Sequence, residues 1–411
     1  MKKTLFIISL RYPLINAINI KLNELHDKAS DIILDDTIRN DSYQLAENLR
    51  NSQIFDNVFF TNPDGYNGLK KFFQNFNINN SFIKACYGSY KNLKLKDLYK
   101  TNQKTYLNNV VISGGKIDLS LYDNVYICSQ TKISWICLNH LIDNNQISNI
   151  NLIEEGVRDY YSNKVICNYN ALYPNKKIIV HLYEPDLVIY NKIHDNIILT
   201  NISKISTKNT YFINKINQVF NYNSTCNFDN KIIFFEQVSE PMPNYLNNKI
   251  LKILFYNAYN KHLKEHHYYL DKLNILNNLI SILMKFNIIN NFIIKLHPRT
   301  KKGISSNYSQ FILGDKKNNH TIPWEVYCMN QKFKNNLWIT INSSSVLNKI
   351  LCFQEKSNIK FIFLYKCSKY HFIKTSNLEK FYKNFSKKYN EYMIIPKNFS
   401  ELESSFKNIG F

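Results

Sequence analysis

Glycine and proline are scarce, at 9 of each among 411 residues. That excludes a collagen-like or linker-like chain, and a hydrophobic share of 45% excludes a disordered one. No stretch reaches the roughly 18 uncharged apolar residues that a membrane-spanning helix requires, so an aqueous compartment is expected. The chain is also without a CxxC pair. Its eight cysteines (Cys86, Cys128, Cys137, Cys167, Cys226, Cys328, Cys352, Cys367) are scattered through mostly apolar runs. Reduced, buried thiols in a cytoplasm are expected from that spacing, not a disulfide framework or a zinc site. A phosphate-binding loop and a glycine-rich dinucleotide fingerprint are missing too, and Gly114-Gly115 reads as an isolated turn signal.

What is abundant is positive charge: 52 Lys and Arg face 31 Asp and Glu, a formal net charge of +21. Such a balance invites anionic partners, whether nucleic acid, an acidic membrane surface, or a phosphorylated or carboxylated substrate. The same sequence is rich in Asn, Ile, Lys, Tyr and Phe, the set a low-GC coding bias favours, and part of the charge is assigned to that drift. Met1-Lys2-Lys3 followed by TLFIISL imitates a secretory leader, but Arg11 and Pro13 interrupt the apolar run and no cleavage site follows. Residues 4–10 are read as a first strand.

Short apolar runs bounded by turn residues alternate with helix-period segments, the rhythm of βαβ units in a parallel sheet. Strands are expected at 4–10, 31–35, 57–60, 123–128, 149–154 and 187–190, with helices including 42–53 and 131–142. The rhythm restarts with strands at 231–237, 291–298, 337–342 and 358–365 and a long helix near 269–286. Two open α/β halves follow, 1–220 and 231–395, with a junction in the polar stretch 215–230 and a surface helix in 396–411.

Open α/β sheets bind ligands beyond the carboxyl ends of their strands. Three strand ends here are chemically dense. Glu154 and Glu155 end an apolar strand, and Gly156 lets the backbone turn sharply. Neighbouring strand residues point to opposite faces, so the two carboxylates have different tasks. One that is partly desolvated would have a pKa lifted towards neutrality and suit a general base, whereas on a surface both would only pair with Lys or Arg. His297, locked by Pro298, sits among Lys295, Arg299, Lys301 and Lys302, where it would either contact a departing phosphate or remain a solvated basic loop. Ser343, Ser344 and Ser345 come where a strand feeds a helix, and their hydroxyls would hold an anion, cap the helix, or do both.

His262 to His266 matches an HxxEH zinc pattern, but it lies in a hydrophilic stretch without a distal carboxylate and is read as a solvated helix face. The basic, tyrosine-bearing segment 84–104 would bind single-stranded nucleic acid, clamp an anionic glycan or face a membrane.

In this order, INLIEEG, FIIKLHPRTKK and ITINSSSVL resemble the motifs of the bacterial GT-B sialyltransferases, most closely the capsular polysialyltransferases and their lipooligosaccharide-sialylating relatives. The LISILM run at 279–284 resembles the polysialyltransferases too. The likeness covers the catalytic half of each domain. It implies a GT-B fold, two Rossmann-like domains facing each other across a cleft, with the acceptor and base on the N-terminal one and the CMP-sugar on the C-terminal one. It also implies an inverting transfer of sialic acid from CMP-sialic acid to a bacterial surface glycan, with no metal and no cofactor. On that resemblance Glu154 would be the general base, His297 would stabilise or protonate the leaving CMP phosphate, and Ser344 and Ser345, with Ser343 if the register lies one residue earlier, would hold it. Glu325 would grip the ribose and Gly156 would keep the turn open, while Glu155, Lys295, Pro298 and Arg299 would border the substrate. The expected partners are the CMP-sialic acid donor, an anionic or neutral glycan acceptor and a peripheral contact at the inner face of the membrane, with no nucleic acid. The alternatives left open are a GT-B transferase of another nucleotide-activated donor in capsule or teichoic-acid synthesis, and a basic nucleic-acid-binding protein.

Overall fold

The computed structural model describes residues 2–35, 42–61, 111–190, 194–223, 226–237, 256–297, 308–313, 321–343, 345–355, 359–369, 375–389 and 393–409. The chain divides into two units, Met1–Tyr222 and Asn223–Phe411. Each is an α/β layer structure built on a largely parallel sheet.

In the first unit the strands are β1 (Lys3–Ile8), β2 (Ser30–Asp35), β3 (Asn57–Thr61), β4 (Val111–Ser113), β5 (Tyr122–Ile127), β6 (Asn149–Ile153), β7 (Lys177–Leu182) and β8 (Ile197–Asn201). They lie in the order β4-β3-β2-β1-β5-β6-β7-β8, and only the β3–β4 pair is antiparallel. The central strands read as continuous apolar runs because helices cover both faces: β1 is KTLFII, buried from Thr4 to Ile8. The helices are α1 (Arg11–Asn23), α2 (Ser42–Ser52), α3 (Lys132–Asp143), α4 (Arg158–Tyr161), α5 (Lys164–Leu172) and α6 (Thr210–Phe220). A capping box starts α3, with Thr131 and Ser134 each satisfying the other's backbone N–H. Asn209 caps α6 at one end and Asn221, at φ +49°, closes the other. The β1–β5 neighbours lead away in opposite directions along the sheet, which makes their carboxyl ends the switch point of a Rossmann-like order.

Five of the six strands expected in this half are present. The segment expected as a strand at 187–190 is not one: Pro185–Leu187 form a 3-10 turn, and Ile189 donates its N–H to the Tyr160 carbonyl at 2.9 Å. Pro185 removes a ladder donor there and starts the turn instead. The sheet continues through β7 and β8, which the periodicity did not reveal, because β7 places His181 inside the sheet where an apolar residue is the rule.

His181 has its own consequence. Its Nε2 pairs with Asn151 Oδ1 at 3.1 Å, its ring lies 5.0 Å from that of Tyr126, and burial pushes its pKa down to about 4. The unfolded chain binds the proton near pH 6.5, so it takes up protons before the folded one does, and stability is lost as pH falls from about 6.5 to about 4. The loss is expected to reach about 3 kcal/mol. Urea unfolding at pH 7 and pH 4.5 should show that component in the wild type and not in His181→Gln. Equal acid sensitivity of the two would refute it.

The second unit has β9 (Ile232–Phe235), β10 (Phe292–Lys295), β11 (Asn336–Thr340), β12 (Ile359–Phe363) and β13 (Met393–Ile394) in the order β10-β9-β11-β12-β13, all parallel. Its switch point lies between β9 and β11. Its helices are α7 (Tyr256–Lys285), α8 (Trp324–Asn330), α9 (Ser345–Leu351), α10 (Thr375–Tyr389) and α11 (Phe399–Ile409). Trp338 in β11 is fully buried among the rings of Phe235, Trp324, Phe333 and Phe361. The α7 helix begins well before the expected 269, because its polar first half carries no apolar period to announce it. The LISILM run is its packed end, with Leu279 and Leu283 fully buried. Residues 215–220, expected in a polar junction, are instead the last turns of α6, with Ile216, Val219 and Phe220 buried. The expected tail helix is α11, docked on α7 through the Phe286–Phe406 rings and the Lys285–Glu403 ion pair.

Candidate functional site

In the first unit β1, β5 and β6 end side by side, and their ends bring together Ser9, Cys128, Ser129, Glu154 and Glu155. Glu154 has no exposed surface. Tyr12 on α1 donates its hydroxyl to Glu154 Oε1 at 2.6 Å, Tyr160 on α4 donates to Oε2 at 2.5 Å, and the Tyr183 N–H donates to Oε2 at 3.1 Å. The main chain is held as firmly: the Glu154 N–H reaches the His181 carbonyl at 3.0 Å, and Asn16 Nδ2 donates to the Glu154 carbonyl at 3.0 Å. Burial raises the Glu154 pKa, and the three donors oppose that rise.

Glu155 points the other way and is half-buried. Its N–H is taken by Asp159 Oδ2 at 2.6 Å. Burial pushes its carboxyl up to about 7, against a hydrogen bond from Ser129 and the positive charge of Arg158. The Asp159 carboxyl is itself held well above the usual range, by burial and then by Glu155. Ser129 touches Ser9, whose N–H points at the Cys128 thiol at 3.2 Å. Burial lifts that thiol to about 11, so it is an inert neighbour and not a nucleophile. Gly156 takes φ +142°, a conformation that side-chain-bearing residues rarely adopt, and this turns the chain away just past the acidic pair.

In the second unit the ends of β10, β9 and β11 gather His297, Glu236, Gln237, Asn342 and Ser343. Glu236 lies in the interior beside Lys272 of α7, with Nζ to Oε1 at 3.1 Å and neither side chain exposed. Glu236 Oε2 also accepts the His297 N–H at 3.4 Å, and Lys272 donates to the Gln237 carbonyl at 2.9 Å. Gln237 takes a hydroxyl from Tyr268 at 2.5 Å and donates to the Asn342 carbonyl, while Tyr382 donates to Asn342 Oδ1 at 3.0 Å. The Ser343 N–H is bonded to Thr340 Oγ1 at 2.8 Å. His297 itself is half-buried.

Lys295 is almost fully buried, and its ammonium donates to the Leu296 carbonyl at 3.0 Å. Its charge also reaches Glu325, which is buried in α8 and bonded to Asn348 Nδ2 at 2.5 Å. Ser345 opens α9. Ser344, Pro298, Arg299, Lys301 and Lys302 lie outside the described residues, as does the whole 84–104 segment. The side chain of His262 does too, and among the described residues no group of His, Cys, Asp and Glu is arranged to hold a metal.

Glu236, Gln237 and Lys272 belong to no motif in the sequence, nor do Ser129, Tyr12, Tyr160 and Tyr183. The strand-end rule that found the other clusters applies equally to KIIFFEQ. Lys272 carries no such signal, because a lysine on a long helix reads as solvated.

A scan against protein-family models finds no match, and a search of curated proteins finds none either. Among solved structures, a glycosyltransferase from Rickettsia africae ESF-5 overlaps all of this chain and 88% of its own, at 11% identity and a TM-score of 0.39. An overlap that loose fixes neither fold family nor activity. Among the described residues no helix is long and apolar enough to cross a membrane.

Proposed function

We propose that the protein is a GT-B glycosyltransferase that moves sialic acid, with inversion, from CMP-sialic acid to a hydroxyl of a bacterial surface glycan. The observation that carries this reading is the acidic pair just past the end of β6, where a half-buried carboxyl lies beside a fully buried one and burial raises the first towards neutrality. A carboxyl so placed removes a hydroxyl proton efficiently near neutral pH. The His-Pro and serine clusters at the ends of the second sheet support it, since a departing nucleotide needs donors and positive charge.

In the proposed step the acceptor hydroxyl gives its proton to a carboxylate of the acidic pair as its oxygen bonds to the anomeric carbon. The bond from that carbon to the CMP phosphate oxygen breaks on the opposite face, and its electron pair leaves with the phosphate, to which His297 donates. Ser343, Ser344 and Ser345 would hold the phosphate, and Glu325 the ribose. Pro298 and Arg299 would border the donor, with Lys295 adding charge from below. In this reading the reaction runs on the cytoplasmic side, where bacteria make nucleotide sugars.

Incubation with CMP-sialic acid, UDP-sugars and CDP-linked donors, each with lactoside and oligosialic acid acceptors, tests the reading. Release of CMP with a sialylated product is the expected result, and turnover of only a UDP- or CDP-linked donor would replace it with the rival transferase. His297→Ala is expected to lower the transfer rate by about 10²–10⁴-fold with folding intact by circular dichroism. An unchanged rate would remove His297 from the mechanism.

A further inference from the structure

The two carboxylates of the acidic pair are not equivalent, although the resemblance gives the first of them the chemistry. We propose that Glu155 is the group that takes the acceptor proton, and that Glu154 is a positioning residue fixing the strand end from which Glu155 projects. The proposal rests on the transferase reading above.

A general base needs a lone pair within hydrogen-bond reach of the proton it removes. Glu154 offers none that a substrate can reach: three donors already sit on its two oxygens, and no part of the side chain meets solvent. A substrate hydroxyl would have to displace Tyr12 or Tyr160 to reach it. The same bonds tie α1, α4 and the turn after β7 to the end of β6, which is what a structural carboxylate does in a sheet. Just past the end of β6, Glu155 has other neighbours: Ser129 at the end of β5, and Arg158 and Asp159 of α4. There it is only partly buried, just past the end of the strand, and the Gly156 turn carries the following chain away.

The surroundings of Glu155 match a working base. From the end of β5 come the Ser129 hydroxyl, which donates to it, and the Cys128 thiol. From α5 comes the Tyr169 phenol, itself bonded to the Ser129 carbonyl at 3.3 Å. From α4 come Arg158 and Asp159. Arg158 is the one cation in that set, and it is exposed. Burial therefore outweighs it, and the carboxyl keeps its proton to about 7, where a base both accepts and releases readily.

The test uses the full-length protein and two independent readouts. The first is the pH–rate profile of wild type, Glu154→Gln, Glu155→Gln and Asp159→Asn, taken with whichever nucleotide sugar of the panel is turned over. Wild type should gain rate about tenfold per pH unit below the inflection and level off above about pH 7. Glu155→Gln should lose about 10²–10⁴-fold at every pH, with no inflection left. Glu154→Gln should keep the inflection near its wild-type position with a smaller loss, and Asp159→Asn should keep it as well. Loss of the inflection in Glu154→Gln, with its retention in Glu155→Gln, would overturn the assignment and restore Glu154 as base.

The second readout needs no donor. In protein labelled with ¹³C at the glutamate carboxyls, the resonance missing from Glu155→Gln should titrate near pH 7. A Glu155 resonance that titrates below pH 5.5 would overturn the proposal. If CMP-sialic acid is inert while another donor reacts, the sialyl reading fails and the assignment of the base is still decided.

Discussion

Lys272→Met is expected to destabilise the second unit by about 3–5 kcal/mol, because it removes one partner of an ion pair that is wholly out of water. Met matches the lysine stem in length, so the packing of α7 against the sheet changes little and the effect isolates the charge. Glu236 would be left as a buried carboxylate whose weaker remaining donor includes the His297 N–H. The Gln237 carbonyl would lose its 2.9 Å donor as well. Changing both partners, Lys272→Met with Glu236→Met, removes the uncompensated charge and should recover most of the loss, since buried pairs are often neutral against apolar replacements of similar size. Chemical denaturation of the four proteins closes a double-mutant cycle. A single substitution that costs under about 1 kcal/mol would show that water reaches the pair and that it behaves as a surface bridge.

The pair also explains how the second sheet presents its strand ends. Glu236 follows β9 directly, and it receives a helix cation on one oxygen and the backbone of the neighbouring strand end on the other. His297 is thus placed by its main chain. The double variant should therefore regain stability without regaining the full transfer rate, a split that a purely structural pair would not produce.

The sheets were legible because parallel strands covered on both faces carry apolar runs that stand out, as KTLFII, SDIILD and IKFIF do. Strands that depart from that composition were invisible. The β7 strand holds His181, and β13 is two residues long. Strand ends could be located from the apolar runs alone, and Glu154, Glu155, His297 and Ser343 do lie just past them. The division of labour within Glu154-Glu155 was not legible. Alternation says that the two differ, but which one faces inwards depends on Tyr12, Tyr160 and Tyr183. These lie 142, 6 and 29 residues away in sequence from Glu154. The buried Lys272 is hidden for the same reason, since its partner is 36 residues distant.

Glu155→Gln is expected to stabilise the first unit by about 2–3 kcal/mol at pH 8 while lowering the transfer rate about 10²–10⁴-fold. The sign follows from the direction of the shift. A carboxyl raised from 4.5 to about 7 binds its proton more tightly in the folded chain than in the unfolded one. The folded state is therefore penalised as pH rises through that interval, and the penalty is complete above about pH 7. A shift of that size corresponds to about 3 kcal/mol, reduced here because Glu155 is partly solvated. Glutamine keeps the shape and still accepts the Ser129 hydroxyl, but never ionises, so it escapes the penalty. At pH 4.5 the wild-type carboxyl is protonated in the folded state and the advantage should nearly vanish. Urea unfolding at the two pH values measures both ends of the window. If Glu155 were instead a surface carboxylate serving Arg158, its pKa would lie low and the glutamine variant would be the less stable protein at pH 8.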